Sequence, residues 1–311
     1  QQDSVYTDFY AVRNFSARAH QVQASMLYTQ GFEDGNVKPW QLMHFFDAVP
    51  SPKKGLFGAW GHHFPPRSDY RDFELAWFDF WLKGIDTGVM EGPTAEVLTN
   101  LGTWRGDTTF PPKGLPATSL HLDATDRSLR LEAPAEAGKA SFVADRRPRL
   151  GLGALEDALR GSAAADERLV FTSAPLRSDL HVSGVMDLWF NATLDGPNAY
   201  LMATLFEVRG GERKEVAFGG LAAALRDGYT EYKPVPQGEM LEYRLRFQPH
   251  EWVLQEGSHL ELHFGTVDVV SATTTEALDP VRVTFHTGPG AGSRLALPTQ
   301  PADADQPAPW K

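Results

Sequence analysis

GFEDGNV (residues 31–37) and GAWGHH (residues 58–63) are two short glycine-bearing loops, each behind an apolar run. Gln23–Tyr28 (QASMLY) and Gly55–Trp60 (GLFGAW) read as short buried strands leading into them. Between them, Pro39 suits the first turn of a helix, and Trp40, Met43, Phe45 and Phe46 fall where its buried side would be. Pro50, Ser51 and Pro52 end that helix. The result is a strand–helix–strand unit. A carboxylate, Asp34, leaves the first strand, and an imidazole, His62, leaves the second one βα unit later. Such a carboxylate can accept a bond from imidazole Nδ1–H, and an imidazole so fixed can act as a general base. Gly31 and Gly35 supply the flexibility of the first turn. Asp-Gly is also an ordinary turn pair. Glu33 and His63 are the immediate rivals of Asp34 and His62.

The strongest helical periodicity follows. Over Asp69–Lys83, Phe73, Ala76, Trp77, Phe80 and Trp81 recur at i, i+3, i+4, i+7 and i+8. Ser68 or Asp69 can cap the start, and Gly84 can end it. Upstream, Asp3 to about Arg18 suits a helix with Tyr6, Phe9, Tyr10 and Val12 on one face. Val97–Leu101, Trp104 and Phe110-Pro111-Pro112 read as the way out into a linker. Beyond about residue 116, short alternating runs separated by Gly, Pro and Asp take over: Ser119–Leu122, Leu169–Thr172, Leu180–Val185, Asp187–Thr193, Ala199–Val208, Leu241–Phe247, Trp252–Leu254, His259–Phe264 and Val281–His286. This texture predicts a two-sheet sandwich or jelly roll. Ala133–Ala165 reads as loops with a short helix at Leu155–Leu159, and Pro298–Lys311 as a loose Pro/Ala/Asp tail. The expected division is an α/β part over residues 1–115, an all-β part over 116–297 and a flexible tail over 298–311.

The chain has 311 residues and a formal net charge of −11, with Asp and Glu outnumbering Lys and Arg 40 to 29. That balance, without a basic cluster, argues against nucleic acid and against an anionic membrane surface as partners. No apolar run approaches the ~18 residues that span a bilayer. There are no cysteines, so disulfides, thiolate metal sites and a cysteine nucleophile are excluded. No compartment is assigned; the cytoplasm is the default, and a targeting signal would lie upstream. His62 and His63, being adjacent, cannot readily chelate one ion, and no HExxH accompanies them. His259, Glu261 and His263 share one face of their strand and could in principle hold an ion; the solvated face of a sandwich strand is the simpler reading. Asp268 and Asp279 lack any DxDxDG run. No metal or organic cofactor is expected. Trp189, Trp252 and Tyr200 could be sugar platforms, though each also suits a core. No Gly-x-Ser-x-Gly elbow occurs; Ser183 (HVSGV) comes nearest, inside a β-rich stretch.

Strand-end Asp followed by loop His is the order in which α/β-hydrolases present the last two members of a Ser–Asp–His triad. Taken together, GFEDGNVKPWQ (31–41), GAWGHH (58–63), ELAWFDFWLKGIDTGV (74–89), LVFTSAPLRSDLHVSGVMDLWF (169–190), LAAALRDGY (221–229) and EYRLRFQPHEWVLQEGSHLELHF (242–264) resemble the Xaa-Pro dipeptidyl-peptidase group of serine peptidases and the related cocaine-esterase-like acyl hydrolases. The resemblance implies the C-terminal part of an α/β-hydrolase fold followed by a jelly-roll β-sandwich. It places the triad acid on Asp34 and the base on His62, not His63. It also implies a nucleophilic Ser, oxyanion hole and cap upstream of residue 1, so that a partner polypeptide completes the sheet. Release of Xaa-Pro dipeptides from peptide N-termini is the expected activity. Ester or amide acyl hydrolysis is the alternative, and a carbohydrate- or protein-binding jelly roll is a third reading. A homo-oligomer is compatible with all three.

Overall fold

The computed structural model describes residues 5–145, 168–266, 279–301 and 307–310. Its first sheet has four strands in the order β1 (Met26–Gly31), β2 (Lys53–Gly58), β3 (Ala95–Leu98) and β4 (Trp104–Asp107). β1, β2 and β3 are parallel, and β4 is antiparallel to β3. Helix α2 (Pro39–Ala48) links β1 to β2, as the spacing predicts; α1 is the short Asp8–Ala11. Pro39 sits at the start of α2, where a missing N–H costs nothing. The Lys53 ammonium donates to the carbonyls of Phe46 and Val49 at 2.5 and 2.6 Å, satisfying the other end. Met43 and Phe46 are buried, with Phe46 edge-on to Tyr28 and Phe57. A half-buried Phe45 and Trp40 complete the helix's inner side.

Helix α3 (Tyr70–Lys83) ends on Gly84 in the left-handed region (φ 69°), as expected. Asp69 precedes it but makes no side-chain cap; Arg67 takes that carboxylate instead. The predicted stripe is only partly covered: Trp77 is buried, while Phe73, Ala76, Phe80 and Trp81 are half-buried.

The remaining strands are β5 (Ala117–Asp123), β6 (Ser128–Arg130), β7 (Gly138–Ala144), β8 (Arg168–Ser173), β9 (Leu180–Gly184), β10 (Asp187–Leu194), β11 (Tyr200–Arg209), β12 (Glu212–Ala222), β13 (Leu241–Arg246), β14 (His250–Leu254), β15 (His259–Thr266), β16 (Val281–Thr287) and β17 (Arg294–Pro298). One sheet runs β12-β11-β15-β8-β6-β5-β17-β10-β16-β7, with β13 added on β10; among the described residues β14 pairs with β9 alone. Strands far apart in this order meet face to face. Phe264 of β15 touches Phe142 of β7, Phe190 of β10 and Phe285 of β16, with ring centroids 4.7–5.6 Å apart. The sheet therefore curls into a two-layered β-sandwich around one apolar core. Its strands alternate: in β16, Val281, Val283 and Phe285 point inward and Arg282 is exposed.

Several expectations are corrected. In place of one helix over 3–18 there is α1 and a 3-10 segment, Phe15–Gln21, opened by the Asn14 side chain. No residue of α1 is buried, and Phe9 is more than half exposed. β4 lies where a linker was expected, and Phe110 is fully buried against Phe32 and Phe57. β7 falls inside the stretch read as loops; of its inward residues Gly138, Ala140 and Ala144 are too small to mark a strand, leaving Phe142 as the one large apolar side chain. β6, β12 and β17 fall outside the strands the sequence predicts. The tail is not loose where it is described. Thr299 and Gln300 bond to Pro116 and His181, and Trp310 is buried with Nε1 donating to Ala174 O at 3.0 Å. The helix expected at 155–159 and Asp268 lie outside the described residues.

Candidate active site

β1 and β2 pair in parallel register with Gly31 opposite Gly58, so the chain leaves both strands at the same end of the sheet. Backbone bonds then keep the loops abreast: Phe32 N–H to Gly58 O at 2.8 Å and Glu33 N–H to Trp60 O at 3.1 Å. This approach requires Gly31, because a Cβ there would lie 2.1 Å from Trp60 O. Its φ is ordinary, so closeness and not turn flexibility selects glycine here. Gly35 has neither a positive φ nor a near neighbour, which corrects the expectation that it shapes the turn.

Asp34 Oδ1 accepts from the N–H groups of Asn36 and Val37 at 2.8 and 2.9 Å. That leaves Oδ2, which lies 2.8 Å from His62 Nδ1. The two side chains predicted from the sequence are thus brought together. Asp34 is 7% exposed and His62 66%. Burial raises the Asp34 carboxyl, but the bonds from Val37, His62 and Asn36 outweigh it and hold the group below its ordinary value. It is therefore an anion at neutral pH, and its bond fixes the imidazole with Nδ1 protonated and Nε2 available. The Gln30 side chain closes the loop from behind, donating to the carbonyls of Gly31 and Val37.

The rivals are placed otherwise. His63 Nδ1 faces its neighbour's carbonyl, Phe64 O, at 2.8 Å. Glu33 is exposed, and its carboxyl is raised by local desolvation, with His63 opposing. Ser183 is buried, and its hydroxyl donates to Glu251 while accepting from Arg105. His263 Nε2 meets Glu261 Oε2 at 2.8 Å, and Arg213 takes the same carboxylate. Among the described residues no group of three ligands could hold a metal, and no helix is long and apolar enough to cross a membrane. Trp252 is buried with Nε1 donating to Glu207, so it is no sugar platform. Trp189 is flanked by Arg244 and Arg294.

The sequence matches the model of the X-Pro dipeptidyl-peptidase C-terminal non-catalytic domain over residues 87–287, well over half of the chain. The chain belongs to the X-Pro dipeptidyl-peptidase family. The model of the X-Pro dipeptidyl-peptidase S15 family matches residues 1–63 of this family member, a stretch that holds both Asp34 and His62. The Xaa-Pro dipeptidyl-peptidase of Lacticaseibacillus casei is 25% identical over 320 aligned residues, covering 97% of this chain and 37% of its own length. Among solved structures, a CocE/NonD family hydrolase from Staphylococcus aureus covers 95% of the chain at 16% identity with a TM-score of 0.78, the chain spanning 57% of it. An α-amino acid ester hydrolase gives the same identity and TM-score, the chain spanning 59% of it. These likenesses show a shared fold. The chain spans about a third to two fifths of the length of the curated relatives it matches.

One set of residues bearing on the site has no signature in the sequence. Phe32, two residues before Asp34, packs against His250 of β14 with ring centroids 5.2 Å apart. Trp40 N–H donates to Gln248 Oε1 across 208 residues of chain. Only the folded register of the sandwich creates these neighbours.

Proposed function

We propose that this chain supplies the acid–base pair of a serine hydrolase. The four-stranded sheet is read as the C-terminal part of an α/β-hydrolase sheet, and the sandwich as its jelly-roll companion. The observation that carries the reading is the 2.8 Å contact between Asp34 Oδ2 and His62 Nδ1 at the shared end of two parallel strands. In this reading a serine hydroxyl from polypeptide outside residues 1–311 attacks an acyl carbonyl. His62 Nε2 takes its proton and returns it to the leaving group, while Asp34 holds the tautomer and stabilises the imidazolium. The named activity of the relatives supports N-terminal Xaa-Pro peptides as substrate.

The test is complementation. The chain is assayed alone, and together with the N-terminal portion of a complete relative, on Xaa-Pro anilides and on simple esters. Activity is expected only in the mixture, and Asp34→Ala or His62→Ala should lower kcat by roughly a thousandfold or more. Complemented activity indifferent to both substitutions overturns the proposal. Cleavage of esters without anilides keeps the hydrolase and replaces the substrate.

A further inference from the structure

We propose that strand β14 of the sandwich is a positioning element for the Asp34–His62 pair, with His250 and Glu251 as its positioning residues. The inference rests on the reading of Asp34 and His62 given above, and assigns part of the machinery to the domain its family model calls non-catalytic.

Two consecutive residues of β14 act on the two loops separately, His250 by direct contact and Glu251 through β4. His250 is buried against Phe32, which is itself stacked on Phe110 at 5.0 Å. Its Nδ1 accepts the N–H of Glu251 at 2.9 Å, which fixes the ring plane against Phe32. Asp34 lies two residues beyond that phenylalanine. Glu251 is fully buried, and its carboxylate is shared by the Arg105 guanidinium, His181 Nε2 and the Ser183 hydroxyl. Arg105 belongs to β4, and its neighbour Trp104 packs on Trp60 with centroids 5.7 Å apart. His62 lies two residues beyond that tryptophan. Each member of the pair is thus preceded at the same interval by an aromatic residue lodged on β14 or on the strand β14 grips.

A third contact sets the register between the two. The Asn100 side chain, in the turn between β3 and β4, donates to Val253 O at 3.1 Å and accepts from Val253 N–H at 2.7 Å. Beyond the Asp34 loop, in the first turn of α2, Gln248 Oε1 accepts Trp40 N–H at 3.1 Å. A buried ion network is a poor source of net stability, since desolvation offsets much of the attraction, but it does define one geometry. Among the described residues β14 pairs only with β9 and not with the main sheet. Trp252 and Leu254 anchor the strand in the sandwich core, which leaves His250, Glu251 and the Val253 backbone to contact the neighbouring loops and β4. Catalytic pairs need such fixing, because small displacements by remote changes cost large factors in rate.

The test uses the 311-residue chain and its complemented enzyme, with His250→Ala, Glu251→Gln and Asn100→Ala, plus His250→Phe to restore a ring and Phe142→Leu as a stability-matched core control. In the chain alone, the Asp34 carboxyl is titrated by carbon NMR. The brace variants should move it upward by about half a pH unit or more, toward the free carboxylate value. Phe142→Leu should leave it in place, and His250→Phe should restore most of it. In the complemented enzyme the brace variants should lower kcat roughly ten- to hundredfold with KM changed less than about twofold. If one variant fails to fold, the others decide. Folded brace variants with unmoved Asp34 titration and wild-type kcat overturn the inference, as does an equal effect of Phe142→Leu. Should Asp34→Ala itself leave activity intact, the hydrolase reading falls, while the NMR result still judges the brace.

Discussion

Gly31 sets the distance between the loops that carry Asp34 and His62, and the rest of the site inherits it. An added methyl would meet Trp60 O at 2.1 Å and Trp60 Cδ1 at 2.6 Å, so Gly31→Ala must push the loops apart. The expected outcome is a loss of kcat on the order of a hundredfold in the complemented enzyme; unchanged turnover would refute the geometry. Asp34 and His62 were legible because their requirements are local: a strand end, a turn and one helix between. His250 was not, because a histidine in an apolar stretch carries no mark of what it will face. Its burial has a thermodynamic consequence. Desolvation lowers the imidazole to about 4, with Glu251 opposing. Its unfolded value is about 6.5, so between these values the unfolded chain binds a proton that the folded one refuses, and stability falls as pH drops across that window by on the order of 3 kcal/mol. Asp34 and Glu251 are depressed carboxylates whose contributions persist down to about pH 4 and are lost only below it. Denaturant midpoints at several pH values should therefore show a shallower slope for His250→Phe. His263 and His286, also lowered by burial, supply the remainder.

At the scale of elements, α3 shows where periodicity informs and where it stops. The repeat located the helix to within one residue, because heptad-like spacing and a terminal glycine are backbone properties. It did not say how much would be covered. Leu75, Phe78, Leu82 and Ile85 are exposed, Leu82 to 77%, which is more apolar surface than one helix ordinarily leaves to water. β1 likewise has an outer edge with no strand beside it among the described residues. The chain alone should therefore self-associate, and Leu82→Glu with Phe78→Lys should shift its sedimentation toward monomer; a monomeric parent would contradict this. Gly84→Ala, at φ 69°, should cost about 1 kcal/mol of stability by denaturant titration. Strands β7 and β17 escaped the reading for the opposite reason. Their inward residues are largely alanines and glycine or short leucine pairs, whose alternation is weak until the facing layer supplies the contrast.

For the whole molecule, the sandwich and the four-stranded sheet have separate apolar cores joined through β14 and its neighbours. The sandwich core closes on itself at Phe264 and is sealed by Trp310. Phe264→Ala should cost about 3–5 kcal/mol, and Trp310→Ala a similar amount, since its indole is buried and bonded to Ala174 O. A Trp310 variant with unaltered melting would show that the docked tail adds nothing. The broad division into helical and β-rich parts was legible from texture; the docking between them was not, since contacts across roughly 150 to 220 residues leave no period to read. One asymmetry has a practical use. Asp34 is sheltered while the imidazole beside it is two-thirds open. Carbethoxylation with diethyl pyrocarbonate should therefore mark His62 readily in the isolated chain. Protection of that single peptide in a mass spectrum would report, without any substrate, the moment a complementary polypeptide closes over it.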